Sequence, residues 1–215
     1  TNDIFSDTQV GSALPHEQKN KQSDLIVNNT KADIAEPKVD TAEPKADSPT
    51  FKNAEEFVSS VWEHAKTAAQ KIGLNPAVMV AQAALETGWG KHIINKSDGG
   101  SSNNLFNIKS DKSWEGDKAS KVTLEFEQGT PVKKQASFRA YDSIKDSVND
   151  FVDFLTQNPR YKEALQNTAK PNDFLDSLQK AGYATDPNYA SKIKKVLNSS
   201  QLKDIAANVI RQGVE

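Results

Sequence analysis

Between residues 54 and 72 the apolar side chains Phe57, Val58, Val61, Trp62, Ala65, Ala69 and Ile72 recur at spacings of three and four. That spacing lines one face of an amphipathic helix, and Gly73 is placed to stop it. Asn75-Pro76 follows, an N-cap with proline at the first helical position. The helix they open, 76–87, is of another kind. Ala77, Val78, Met79, Val80, Ala81, Ala83, Ala84 and Leu85 leave it almost no polar face. A helix apolar all round belongs in the centre of a domain. From Gly88 to Asp117 the chain is rich in Gly, Ser and Asn and predicts loop, with a short apolar piece at Leu105-Phe106. Period two takes over at 120–140. Val122, Leu124 and Phe126 face one way, and Lys121, Thr123, Glu125 and Glu127 face the other. With a turn at Gln128-Gly129-Thr130-Pro131 and a return from Val132 to Phe138, this is a β-hairpin. Helical spacing resumes at Ile144, Val148, Phe151, Val152 and Leu155 and ends before Pro159. Further helices are expected at about 160–167, 172–181 (Asn172 cap), 187–198 (Asp186 cap, Pro187 at the first position) and 201–211. The expected domain is mostly helical, with one small β element.

Composition divides the chain. The first 50 of the 215 residues hold 4 of 9 prolines, 1 of 16 aromatics, and 5 basic against 9 acidic side chains. So little apolar surface cannot offset chain entropy, which predicts a linker or tail. The repeat Ala35-Glu36-Pro37-Lys38, Ala42-Glu43-Pro44-Lys45 points to an extended, fairly stiff stretch, because proline disfavours helix at the residue before it. Asp24-Leu25-Ile26-Val27 is the one apolar patch there. The expected division is 1–50 linker, 51–198 folded domain and 199–215 a terminal helix.

Charge and cysteine content narrow the function. A net charge of −2 gives no global attraction to nucleic acid, and no basic run corrects it. No cysteine is present, so no disulfide or thiolate metal site is possible. His16, His64 and His92 are far apart, so neither a metal nor a cofactor is expected. No apolar stretch approaches the 18 or so residues that span a bilayer. The chain begins with Thr and lacks the apolar core of a secretory signal, so it is expected to be a fragment that starts downstream of another domain.

The chemistry concentrates in Ala84-Leu85-Glu86-Thr87-Gly88-Trp89-Gly90. A buried helix ends here in a carboxylate. Burial and the negative end of the helix dipole both disfavour the charged form and raise the pKa of Glu86. A general acid working near neutral pH needs that shift. A surface glutamate at a helix end is the plainer alternative. Trp89 between two glycines reads either as a platform for a flat ligand such as a sugar ring or as a core aromatic. Glycoside hydrolysis commonly pairs such an acid with a second carboxylate, and Glu115, Asp117, Glu125 and Glu127 are all placed to supply it.

This segment resembles the signature of the peptidoglycan glucosaminidases of glycoside hydrolase family 73. Asn103-Asn104-Leu105-Phe106-Asn107-Ile108-Lys109 resembles their next motif, with Asn107 where glycine is usual. Asn tolerates a left-handed backbone best after Gly, so the turn is expected to persist. Ala181-Gly182-Tyr183-Ala184-Thr185-Asp186-Pro187-Asn188-Tyr189-Ala190 is similar to a third. The resemblance runs from about 51 to 198 and is strongest to flagellar rod-associated members. It implies an α+β, lysozyme-like fold, mainly helical with a small β-hairpin lobe. It further implies cleavage of the N-acetylglucosamine β-1,4 N-acetylmuramic acid bond in peptidoglycan glycan strands by a periplasmic monomer, with flagellar rod proteins as further partners. Glu86 falls on the general acid, Glu125 on the second carboxylate and Tyr183 on a tyrosine lining the site. Trp89, Asn104 and Phe106 fall on groove positions. Two other readings stand beside the hydrolase: a lytic transglycosylase, which needs one glutamate, and a glycan-binding or rod-assembly module with little turnover.

Overall fold

A computed structural model describes residues 51–127 and 130–213, with the backbone alone at 124–127, 130 and 131. The expected linker 1–50, its apolar patch and the centre of the hairpin turn lie outside the described residues. The first helix, α1 (Ala54–Gln70), opens on Asn53, whose side chain accepts from Glu56 N at 2.9 Å. Glu56 in turn reaches back to accept from Lys52 N. These two bonds satisfy donors that a helix start leaves open. The next helix, α2 (Pro76–Thr87), opens on Asn75 with Pro76 at the first position, as its dipeptide predicts, and all but its first two residues are buried. It packs between α1 and α6 (Tyr189–Asn198), so its all-round apolar surface is covered from two sides.

The hairpin is β1 (Lys118–Glu127) with β2 (Thr130–Arg139), antiparallel, pairing Ala119 with Phe138 and Glu125 with Val132. Its base rests on Ile94 through Ala119, Ala136 and Phe138. Val122, of opposite parity to Ala119, is 62 % exposed, so the more apolar face of β1 is the open one at that point. Then come α3 (Ile144–Gln157), a 3-10 turn at Pro159–Tyr161, α4 (Lys162–Gln166) and α5 (Pro171–Lys180). Last is α7 (Ser200–Gln212), which lays Leu202 and Ala206 against the bundle beside α1 and α6. Among the described residues no helix is long and apolar enough to cross a membrane.

Three helix ends differ from expectation. α1 stops at Gln70, two residues early, and Gly73 turns the chain at φ 67°. Pro171 is the first residue of α5 and Lys170 precedes it, so Asn172 lies inside the helix rather than capping it. Asp186 does not cap a helix beginning at Pro187. Its carboxylate accepts from Asn188 N and pairs with Lys192 at 2.7 Å, and its carbonyl accepts from Tyr189 N, so a closed turn precedes α6. Lys194, also on α6, pairs with Asp176 of α5.

Candidate active site

Glu86 occupies the last turn of α2 and is 4 % exposed. The helix ends at Gly88, whose left-handed φ of 57° lets its N–H donate back to Ala84 O. The chain then folds tightly on itself. Thr87 Oγ1 donates to Ala83 O and accepts from Gly90 N, and His92 N donates to Thr87 O. These bonds fix the exit of the helix and so the position of the carboxyl beside it.

The opposite wall is the loop 101–108. Asn104 is fully buried and acts as its clamp: Nδ2 donates to Ile108 O (3.0 Å) and Arg139 O (2.8 Å), and Oδ1 accepts from Ile108 N. Leu105 N donates to Ser147 Oγ on α3, and Asn103 Nδ2 donates to Tyr141 O. Arg139 N donates to Ile108 O, which ties the loop to β2. Asn104→Ala leaves those groups without partners in a dry setting. It should cost about 2 kcal/mol, read as a lowered midpoint of urea unfolding with an unchanged slope.

The clamp delivers Asn107 to Glu86. Asn107 is left-handed, at φ 49°, as its motif predicts. Its Nδ2 donates to Glu86 Oε2 at 2.8 Å and to Glu86 O at 3.1 Å. Glu86 Oε1 is buried, with no hydrogen-bond partner among the described residues. Burial pushes the Glu86 pKa up to about 8, against a smaller downward pull from the Asn107 bond and the nearby Tyr189 hydroxyl. That hydroxyl accepts from Gln82 Nε2 at 3.2 Å. Burial and the neighbouring Glu86 also raise the pKa of Tyr189 itself, keeping the phenol neutral.

Several residues expected at the groove are placed otherwise. Trp89 is 8 % exposed and meets the Phe57 ring edge-to-face. The glycines beside it face packed side chains. A side chain at Gly90 would strike the Phe51 and Phe57 rings, and one at Gly88 would strike His92. Phe106 is fully buried and stacks on Phe151, with ring centroids 4.1 Å apart. Tyr183 is fully buried too. Its hydroxyl donates to Phe106 O at 3.0 Å and its ring stacks on Tyr189, so it stands behind the site rather than on its surface. Tyr183 thereby ties the residue before Asn107 to Tyr189. Asp117 is exposed, 3.5 Å from Lys96, and Glu115 lies in the same exposed loop before β1. Glu125 is in register with Val132 near the hairpin tip, and its side chain lies outside the described residues.

Three residues at the carboxyl escape a reading by motif alone. Gln82 carried a signal, as a polar residue one helical turn before Glu86 in an otherwise apolar helix. Tyr189 sits at the end of the third motif. The contact of Asn107 with Glu86 depends on the loop folding back across α2, which no local pattern encodes.

Residues 62–202 match the glucosaminidase family, described as mannosyl-glycoprotein endo-β-N-acetylglucosaminidase. The chain is 51 % identical over 146 residues to the peptidoglycan hydrolase FlgJ of Vibrio parahaemolyticus, covering 68 % of this chain and 47 % of that one. It is 48 % identical over 151 residues to FlgJ of Pseudomonas aeruginosa, covering 70 % and 38 %. It thus spans less than half the length of these curated relatives. Among solved structures, a peptidoglycan hydrolase mutant from Sphingomonas sp. A1 superposes with a TM-score of 0.67 at 40 % identity, over 72 % of this chain and 99 % of that one. A C-terminally truncated glycoside hydrolase domain of Salmonella typhimurium FlgJ gives 0.58 at 38 %, over 71 % and 99 %. The chain belongs to the glucosaminidase family of glycoside hydrolases.

Proposed function

We propose that this chain is a peptidoglycan hydrolase, an endo-β-N-acetylglucosaminidase that cleaves the N-acetylglucosamine β-1,4 N-acetylmuramic acid linkage. The observation that carries the reading is Glu86: a buried carboxyl that keeps its proton to about pH 8, with one oxygen unclaimed by the protein. A buried oxygen without a partner is costly and calls for an explanation, and donating a proton to a substrate oxygen supplies one. In this reading Glu86 protonates the bridging oxygen as the bond to the anomeric carbon breaks. Glu125 activates water or stabilises the developing positive charge from the hairpin lobe. Carboxyls about 5 Å apart suit a retaining route and about 6.5–9.5 Å an inverting one. Tyr183, Asn104 and Phe106 serve by positioning, holding Asn107 and Tyr189 against the acid, and Trp89 packs on Phe57 at the helix exit.

Residues 51–198 form the catalytic unit in this proposal, residues 1–50 the tether and residues 199–215 an appended helix. The family and the relatives' names support an extracytoplasmic protein acting on the wall. The periplasm and a role in opening the wall for a flagellar rod, alongside rod proteins, rest on those FlgJ names.

Product analysis tests the reading. The 215-residue chain should release free reducing N-acetylglucosamine ends from purified peptidoglycan, and Glu125→Gln should slow that release by roughly 10²-fold or more. Mass spectra showing 1,6-anhydromuramic ends would assign a lytic transglycosylase instead. Tight binding with no new ends would assign a glycan-binding module.

A further inference from the structure

We propose that Asn107 is a positioning residue for the general acid: one amide nitrogen grips both the backbone carbonyl and the side-chain Oε2 of Glu86, fixing the carboxyl and leaving its proton on Oε1. The inference rests on the reading of Glu86 as the acid.

The geometry supports it in three ways. First, the orientation of the amide is determined. The atom facing Glu86 O must donate, because a carbonyl oxygen only accepts, so it is Nδ2 and not Oδ1. The same nitrogen then donates to Oε2 at 2.8 Å. Second, Oε2 accepts that bond as the carbonyl-like oxygen of the neutral acid, so the proton resides on Oε1. Among the described residues Oε1 has no hydrogen-bond partner. Third, Asn107 is itself held rigidly. Its left-handed backbone lies between Phe106, whose carbonyl accepts from Tyr183, and Ile108, whose N–H and C=O are both bonded to Asn104. A rigid donor fixes a neighbouring carboxyl in a way a mobile one cannot.

Among the described residues, the groups facing the carboxyl are Gln82 from its own helix, Asn107 from the loop, and Tyr183 and Tyr189 from the segment that leads into α6. Asn107 donates to a carboxyl oxygen at 2.8 Å, and the Tyr189 hydroxyl adds a smaller downward pull. The Asn107 donation favours the charged form, so Asn107 sets how far burial raises the pKa as well as where the proton sits.

Two variants test this in the full 215-residue chain. Asn107→Gly keeps a backbone suited to φ 49° and removes the donor. Asn107→Asp keeps the shape and sets an acceptor against two acceptors. The titration of Glu86 is read by carbon NMR on protein labelled at the glutamate carboxyl carbon, its resonance being the one missing from Glu86→Gln. In Asn107→Gly the midpoint should move up by roughly one pH unit, and the alkaline limb of kcat/KM should move with it. In the same variant kcat should fall roughly tenfold with KM within about twofold, since the bond acts on the acid and not on ground-state sugar binding. Asn107→Asp should move both readings further in the same direction. A merely structural role would lower the melting temperature and leave the midpoint and the limb where they are, and that result in either folded variant overturns the proposal. The two levels separate cleanly. Full activity of Glu86→Gln removes the acid reading, whereas the NMR titration reports the Asn107 contact with no reference to turnover.

Discussion

Glu86→Gln is expected to cut the release of reducing ends by roughly 10³-fold, and at the same time to make the protein more stable at neutral pH. The substitution keeps the size of the side chain, and the amide oxygen of the new Gln can accept from Asn107 Nδ2 as Oε2 does now. What disappears is the transferable proton. General acid catalysis contributes about 10²–10⁴-fold, so the fall should lie within that range with substrate binding largely kept. In the unsubstituted protein kcat/KM should decline as pH rises through about 8, where the Glu86 carboxyl loses its proton.

The gain in stability follows from the same burial. The unfolded chain releases the Glu86 proton near 4.5, whereas the folded chain keeps it to about 8. Between those values the unfolded state binds fewer protons than the native one, so native stability falls as pH rises through that window and levels off above it. At 1.36 kcal/mol for each pH unit above the free value of 4.5, the cost reaches about 3 kcal/mol at pH 7. Gln at this position carries no such cost. Urea unfolding of both proteins at pH 5 and pH 8 measures it. The advantage of the variant should be small at pH 5 and several kcal/mol at pH 8. Equal advantages at the two values would mean the carboxyl is not held neutral by the fold. A gain in stability together with a loss of activity marks a residue retained for chemistry rather than for folding.

Asp150→Ala is expected to cost about 3–5 kcal/mol and to loosen the wall of the site without touching it. Arg139 ends β2 and is nearly buried. Its NH1 donates to both Asp150 oxygens, at 2.9 and 3.0 Å. Tyr141 donates to the same carboxylate at 2.7 Å. The guanidinium lies over the Trp114 ring at 4.7 Å and the Phe154 ring at 5.5 Å, and Asp111 stands 3.6 Å from NH2. Removing Asp150 leaves a buried cation with one distant carboxylate and a phenol with no acceptor. The backbone of Arg139 is joined to Asn104 and Ile108, so the strain passes into the loop that presents Asn107. Chemical denaturation should show the loss. Amide exchange should quicken at Ile108 and Arg139 ahead of α1 and α2. Asp150→Asn keeps the shape and removes the charge, and should lose nearly as much, because the Arg139 cation is again left without its close carboxylate. A much smaller loss in Asp150→Asn than in Asp150→Ala would show that the packing of the side chain matters and its charge does not.

Most of the helices can be read from local pattern because the rules that make them are local. Asn75-Pro76 opened α2 as expected, and a helix with no polar face proved to be the one packed between two others. The hairpin followed from alternation, and its register agrees with pairing across a short turn. The errors fall where a longer-range contact competes with a local signal. Asp186 has the chemistry of an N-cap, yet Lys192 and Asn188 claim its carboxylate. Alternation says that Val122 and Ala119 lie on opposite faces of β1, but only Ile94, from a loop 25 residues before Ala119, decides which face is covered. At Gly-Trp-Gly, where the sequence left a sugar platform and a core aromatic both open, Gly90 lies against Phe51 and Phe57.

The candidate site divides in the same way. Sequence alone placed Glu86 at the end of an apolar helix, where burial raises its pKa, because the apolar pattern and the helix end are both written within a dozen residues. It also determined that Asn107 would be left-handed, since few other side chains tolerate that backbone. Only the tertiary structure decided what surrounds the carboxyl. Asn104, a clamp 18 residues away in sequence, folds one loop across α2, and Tyr189 arrives from a helix more than 100 residues downstream. Motif matching marks such residues as important without saying whether they touch a substrate or hold one that does. That distinction depends on burial and on which hydrogen bonds are already made, and both arise only when distant segments pack.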